Sequence, residues 1–222
     1  MLSGDFRERF EELNTIGQAA KDAGDHERAL ATFEEAHRLA TEHDDNLKCM
    51  HAITPAARAL WSMGRYDDAS VKLETASDIA RELDLTDELG ITISNIGRLA
   101  TIKTVHTVPV EQQREILRAE AAPKFSEAYN ILKDHPHLYY RYANAQHGSV
   151  VSAMAGERRL ACKLVTEGFR VAFRRSEEPY DQRRTYQINK RGLLQLAAAT
   201  ALIPFADRTP FFAKAVRNKL IR

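Results

Sequence analysis

Leu13-Asn14-Thr15-Ile16-Gly17-Gln18-Ala19-Ala20 and Ile93-Ser94-Asn95-Ile96-Gly97-Arg98-Leu99-Ala100 match position for position, 80 residues apart. A repeat of that kind decides the fold before any single element is assigned, because each unit buries its apolar face only against its neighbours. The intermediate copies follow from three similar loops: Ala23-Gly24-Asp25, Met63-Gly64-Arg65 and Ala155-Gly156-Glu157. Their glycines stand 40 and then 92 residues apart, so a fourth unit lies between, carrying about 12 extra residues around Ile102 to Arg114. Seven residues before each loop stand Gly17, Ala57 and Ser149, and Gly97 fills the missing place.

The second half of each unit keeps the same phase. Small residues recur at Ala29, Ala69, Ala121 and Ala161, a larger apolar one follows at Phe33, Leu73, Phe125 and Val165, and a small one again at Ala36, Ala76, Ala128 and Gly168. Steps of four and three place all of them on one helix face. Small residues let two helices approach closely, and the large one fills the gap beside them. Each unit therefore reads as a helix pair closed by a Gly turn.

Helices are expected at about 4–23, 26–43, 46–63, 66–84, 87–104, 111–133, 137–155, 157–175, 180–202 and 210–221. Pro55 and Pro123 fall inside this pattern and should kink a helix or shift its boundary. No stretch alternates as a strand does, so the fold class is all-α.

These residues resemble the tetratricopeptide repeat (TPR) family: L-x-x-[apolar]-G-x-x-A in the first helix and A-x-x-x-F-x-x-A in the second. The likeness covers about residues 10–175, in units near 10–43, 50–83, 90–135 with its insertion near 102–114, and 142–175. Degenerate C-terminal helices occupy 180–222, and one domain spans 1–222. Leu13, Ala20 and Thr41 stand where the family usually has Trp, Tyr and Pro, and the 40-residue step exceeds its common 34. The resemblance implies a right-handed superhelix of stacked antiparallel helix pairs, whose concave groove is lined by the first helix of each pair.

The groove positions implied by the resemblance read Asn14, Thr54, Ser94 and Gln146 at one level, and Gln18, Arg58 and Arg98 at the next. His51, Lys21 and the single tryptophan, Trp61, lie beside them. Amide and hydroxyl groups can satisfy an extended peptide backbone, and Arg58 and Arg98 can grip a carboxylate or phosphate. The Lys/Asn pair by which some relatives hold acidic chaperone tails is absent, since Asn14 and Gln18 occupy those places.

Charge divides unevenly along the chain. Residues 1–100 carry 20 Asp and Glu against 11 Lys and Arg, whereas 151–222 carry 6 against 15. Within the basic third, Arg170, Arg174, Arg175, Arg183, Arg184 and Lys190 form a candidate patch for an anionic partner, interleaved with Phe169, Phe173, Tyr180 and Tyr186.

Signatures of enzymes are missing from the sequence: no P-loop, GxSxG, HExxH or GxGxxG. His135-Pro136-His137 offers two ligands where a zinc site needs three or four, and reads as a surface turn. Cys49 and Cys162, without a CxxC neighbour, read as buried thiols. No apolar run reaches the roughly 18 residues of a membrane span. The sequence thus predicts a cytoplasmic, non-enzymatic scaffold or adaptor without cofactor or metal, binding an extended peptide segment of a protein partner, acidic where it meets the arginines. A nucleic-acid or polyanion binder acting through 158–191 is the first alternative, and a peptide-sensing regulatory protein the second. The apolar C-terminal helices leave room for a homo-oligomer, and no membrane partner is expected.

Overall fold

The computed structural model describes residues 4–135, 138–173 and 196–201, and all its regular elements among these are helical. The order is α1 (Gly4–Asp22), α2 (His26–Glu42), α3 (Asn46–Ser62), α4 (Tyr66–Glu82), α5 (Thr86–Thr107), α6 (Val110–Ile116), a π turn (Leu117–Ala121), α7 (Ala122–Leu132), α8 (Leu138–Met154) and α9 (Arg158–Phe173). A further helical stretch occupies 196–201. Consecutive helices pack against their neighbours, and the chain forms two compact units, 1–92 and 93–222, whose boundary falls within α5.

In the first unit the rhythm is finer than the 40-residue repeat. Helices α2, α3 and α4 each hold 17 residues, and α2 to α5 begin at 26, 46, 66 and 86. One turn design closes every step. The central residue takes a left-handed conformation, with φ of +80° at Gly24, +52° at Asp44, +79° at Gly64 and +53° at Asp84. The next residue then donates its N–H to a carbonyl five back: Asp25 to Ala20 at 2.9 Å, Asp45 to Ala40 at 3.0 Å, Arg65 to Leu60 at 3.0 Å and Leu85 to Ala80 at 2.8 Å. That bond satisfies a carbonyl which the helix end would otherwise orphan. Glycine adopts the left-handed conformation freely, and aspartate is among the few side chains that tolerate it. Asp25 and Asp45 go on to accept the N–H groups of Arg28 and Lys48, at 3.1 and 3.0 Å, so each residue ends one turn and caps the next helix.

The core of this unit is a cluster of Phe10, Leu13, Ala36, Ala40, Cys49 and Ala52, from α1, α2 and α3. Gly17 is required by packing rather than by φ. A Cβ there would lie 2.7 Å from the Phe33 ring. Phe6 and Phe10 of α1 flank the Lys48 ammonium of α3 at 5.5 and 5.6 Å from their ring centroids, which joins the start of α1 to the start of α3. Pro55 does not interrupt α3, which runs through it from Asn46 to Ser62.

His37 on α2 gives this unit a pH response. Burial, helped by the Lys72 ammonium, lowers its pKa from the usual imidazole value. Between that lowered value and the value near 6.5 in an unfolded chain, only the unfolded state takes up the proton. Stability should therefore fall as pH drops through about 6.5, and level off below the folded pKa. Thermal melts of wild type and His37→Asn at pH 7.5 and 5.5 read this directly: wild type should lose more Tm on acidification than the variant. Equal losses would remove His37 as a source of the response.

The second unit departs from the 20-residue rhythm where the insertion falls. Helix α5 continues to Thr107, at 22 residues, and the return path is lengthened by α6 and the π turn. Gln113, 2% exposed, pins this corner by donating its side-chain amide to the Val108 carbonyl at 2.8 Å and the Val105 carbonyl at 3.4 Å. The π turn is closed by the Ala122 N–H donating to the Leu117 carbonyl, and α7 starts there with Pro123 in its first turn. Pro123 stands in the first turn of α7, directly after the π turn, and the helical backbone continues through it.

Phe125, Leu117 and Leu164, all fully buried, centre one cluster of this unit with Ala121, Ala122, Val151 and Ala155. Its α8–α9 turn repeats the design of the first unit: Gly156 has φ +79°, and Glu157 donates to the Ser152 carbonyl at 2.8 Å. Here the π turn contributes, since Arg118 Nε donates to the Ala155 carbonyl at 3.1 Å and lies 3.3 Å from Glu157. Leu196 and Ala199 are buried against α8 and α9, Leu196 so closely to Gly168 that a Cβ there would meet it at 2.6 Å. The predicted helices at 180–202 and 210–221 otherwise lie outside the described residues.

Two local readings are corrected. Cys49 is buried as expected, but Cys162 is exposed, on the side of α9 turned away from Ala161 and Leu164. His135 is no surface residue: it is 5% exposed, with its ring edge-on to Tyr140 at 5.5 Å between centroids.

Candidate functional site

The side chains singled out from the sequence fall into separate groups. In the first unit, α1 supplies Asn14, Gln18 and Lys21, and α3 supplies His51, Thr54, Arg58 and Trp61. Leu13 of α1 and Ala52 of α3 share one core cluster, so both helices line the same core. The two sets stand 40 residues apart in sequence.

Their surroundings differ. Gln18 Nε2 donates to Asp22 Oδ1 at 2.7 Å, and Lys21 Nζ donates to Gln18 Oε1 at 2.9 Å while sitting 3.6 Å from Asp22. The Gln18 bond, ahead of the opposing effect of burial and the help of Lys21, holds the Asp22 carboxyl below the usual carboxylate range. These three are a closed surface network. Trp61 is 8% exposed and so belongs to the packing more than to the surface. Arg58 is half-buried and already takes part in an interaction within the protein.

Asn14, His51 and Thr54 are different. His51 is exposed and the other two are half-buried, yet none of the three side chains makes a hydrogen bond among the described residues. Thr54 is unusual in this. The hydroxyls of Thr15, Thr32, Thr41 and Thr75 all donate to the carbonyl four residues back, as threonine commonly does within a helix. Uncommitted donors and acceptors on adjacent helices are what a ligand with alternating amide groups can use.

At the N-terminal end of the same face, burial pushes the Asp45 carboxyl up, but the Lys48 backbone N–H, the Lys48 ammonium and His51 together outweigh it. Asp45 therefore sits below the usual carboxylate range. Lys48 is held there at 3.1 Å.

In the second unit, Ser94 is buried, and Arg98 Nη1 donates to Asn95 Oδ1 at 3.5 Å. Gln146 on α8 is half-buried, its carbonyl accepting from the Ser149 hydroxyl at 3.1 Å. Of the basic patch, Arg170 is exposed and bonded to Glu167 at 3.1 Å. Arg174, Arg175, Arg183, Arg184 and Lys190 lie outside the described residues.

No protein-family model matches the chain, and no curated protein does. The chemistry is therefore read from the residues alone. Among those described, no group of three or more His, Cys, Asp or Glu is placed to hold a metal ion. None of the described helices is long and apolar enough to cross a membrane.

Two features of these surroundings had no signal in the sequence. Arg141 and Glu167 form a buried ion pair between α8 and α9, 26 residues apart, with no motif to connect them. The consequence of Pro55 for its own helix was visible as a residue, but not as a surface property.

Proposed function

We propose that the protein is a non-enzymatic interaction scaffold that binds an extended segment of a partner protein along the outer sides of α1 and α3. On this reading the helix pairs are divergent TPR-like units of a right-handed superhelix, with that face on the concave side. The observation that carries the proposal is a set of side chains on two repeats that make no hydrogen bond among the described residues: Asn14 from α1, and His51 and Thr54 from α3. Polar groups that the protein leaves unsatisfied at a half-buried surface cost nothing in water and gain a partner when a peptide main chain displaces that water.

The test is comparative capture. A triple variant, Asn14→Ala with His51→Ala and Thr54→Ala, alters no core residue and should melt within about 1 kcal/mol of wild type. Pull-downs with both, analysed by mass spectrometry, should show proteins retained by wild type and lost from the variant. An identical set retained by both would remove this face from the function.

A further inference from the structure

The face carries one acceptor that belongs to the backbone. Pro55 sits in the interior of α3, and its ring nitrogen has no hydrogen. The carbonyl four residues earlier, that of His51, therefore lacks the donor that every ordinary helical residue would supply. The nearest side chain able to replace it is the Thr54 hydroxyl, which makes no hydrogen bond among the described residues. His51 itself is exposed. Pro123 stands differently, directly after the π turn that the Ala122 N–H closes on the Leu117 carbonyl.

Charge indicates what would occupy the place. Residues 1–92 hold 20 Asp and Glu against 10 Lys and Arg. Three cations near the face are engaged, Lys21 by Gln18 and Asp22, Lys48 by Asp45, and Arg58 within the chain, while Arg7 is exposed one turn before Glu11. The carboxylates are open. Glu8 and Glu11 are exposed and make no ion pair among the described residues, and Glu11 stands one turn from Asn14 at the position that matches His51 in the next repeat. A field of this sign draws in positive segments and repels acidic ones.

We propose that the occupant is an extended, lysine- or arginine-rich segment whose main-chain N–H is accepted by the His51 carbonyl that Pro55 leaves without a helical donor, with Glu8 and Glu11 facing its basic side chains. The proposal rests on the reading of the α1–α3 face given above and makes it specific. It replaces the acidic partner expected from Arg58 and Arg98 with a basic one. Pro55 acts as a positioning residue, because it touches no ligand and works through the carbonyl it exposes.

The probe is a phage-displayed library of random dodecapeptides, panned on the full chain at low salt. Enriched peptides should be rich in Lys and Arg and should lose binding to the Asn14→Ala, His51→Ala, Thr54→Ala variant. Pro55→Ala restores the helical donor, so it should melt higher than wild type and yet bind the same peptides roughly threefold to tenfold more weakly, the worth of one hydrogen bond. Stability and binding moving in opposite directions is something a merely structural residue would not produce. Methylating the peptide amides in turn should find one nitrogen whose methylation weakens binding to wild type but not to Pro55→Ala. Peptides that are lost from the triple variant but indifferent to Pro55→Ala would overturn the His51 acceptor and leave the face standing. So would a Pro55→Ala chain that melts no higher, since the carbonyl would then have had a partner already. Enrichment of acidic or uncharged peptides would overturn the basic occupant. No enrichment, or peptides held equally by the triple variant, would overturn both this inference and the face on which it rests.

Discussion

Arg141→Met is expected to destabilise the protein by about 3–5 kcal/mol, among the largest effects any single substitution should have here. Glu167 is 3% exposed and Arg141 10%. Arg141 places both Nε, at 2.9 Å, and Nη2, at 2.5 Å, on the same carboxylate oxygen. The other oxygen accepts from Arg170 at 3.1 Å, but that arginine is 63% exposed, so solvent screens its charge. Removing Arg141 therefore leaves a desolvated carboxylate with one solvent-screened partner, and methionine fills the vacated space without answering the charge. The cost arises from the stranded anion more than from the bond itself. The double variant Arg141→Met with Glu167→Leu should recover most of the loss, because a buried ion pair exchanged for packed apolar groups is commonly close to neutral. Denaturant melts of the two singles and the double measure this. Singles within 1 kcal/mol of wild type would show that Glu167 is solvated after all.

The helices of this chain were legible because their signals are local and repeated. Gly24, Gly64 and Gly156 mark turns that only a left-handed residue can close, and the small-large-small rows at Ala29, Phe33 and Ala36 and their copies fix which faces meet. The turns at Asp44 and Asp84 were missed as members of the same series. Aspartate serves there in place of glycine, and aspartate is common enough at helix ends to carry no distinct signal. The stretch near 102–114, read as an insertion between two helices, carries no local signal for the way Gln113 pins the α5–α6 corner. Exposure along the candidate face was the least legible quantity. Trp61 and Ser94 occupy the same repeat positions as exposed or half-exposed residues elsewhere, yet both are buried. Periodicity gives the direction in which a side chain leaves its helix; how deep it ends depends on what the next element brings. The arginines chosen for their geometry are likewise engaged within the fold, and pairing across distant segments leaves no trace in spacing.

Phe33→Ala should cost about 3–5 kcal/mol, since the ring is 2% exposed and its removal leaves a cavity that rigid helices cannot close. The more informative experiment is suggested by the repeat. The first repeat pairs Gly17 with Phe33, whereas the next repeat has Ala57 and Leu73 at the matching positions, all of them buried. A larger residue on one helix goes with a smaller one on the other, as constant volume across a fixed helix separation demands. Gly17→Ala alone puts a Cβ 2.7–2.8 Å from the Phe33 ring, closer than carbon atoms tolerate, so ring or helix must shift. The expected cost is about 1–2 kcal/mol, after the gain in helix propensity from replacing glycine. Phe33→Leu alone should lose about 1 kcal/mol through underpacking. Together they rebuild in the first pair what the second pair already contains, and the double variant should be more stable than either single, with a favourable coupling of about 1–2 kcal/mol. Strict additivity in chemical denaturation would mean that the helices separate to admit the new methyl group. In that case the repeat would conserve its spacing by loop length alone, and the small residues at these positions would owe nothing to close approach.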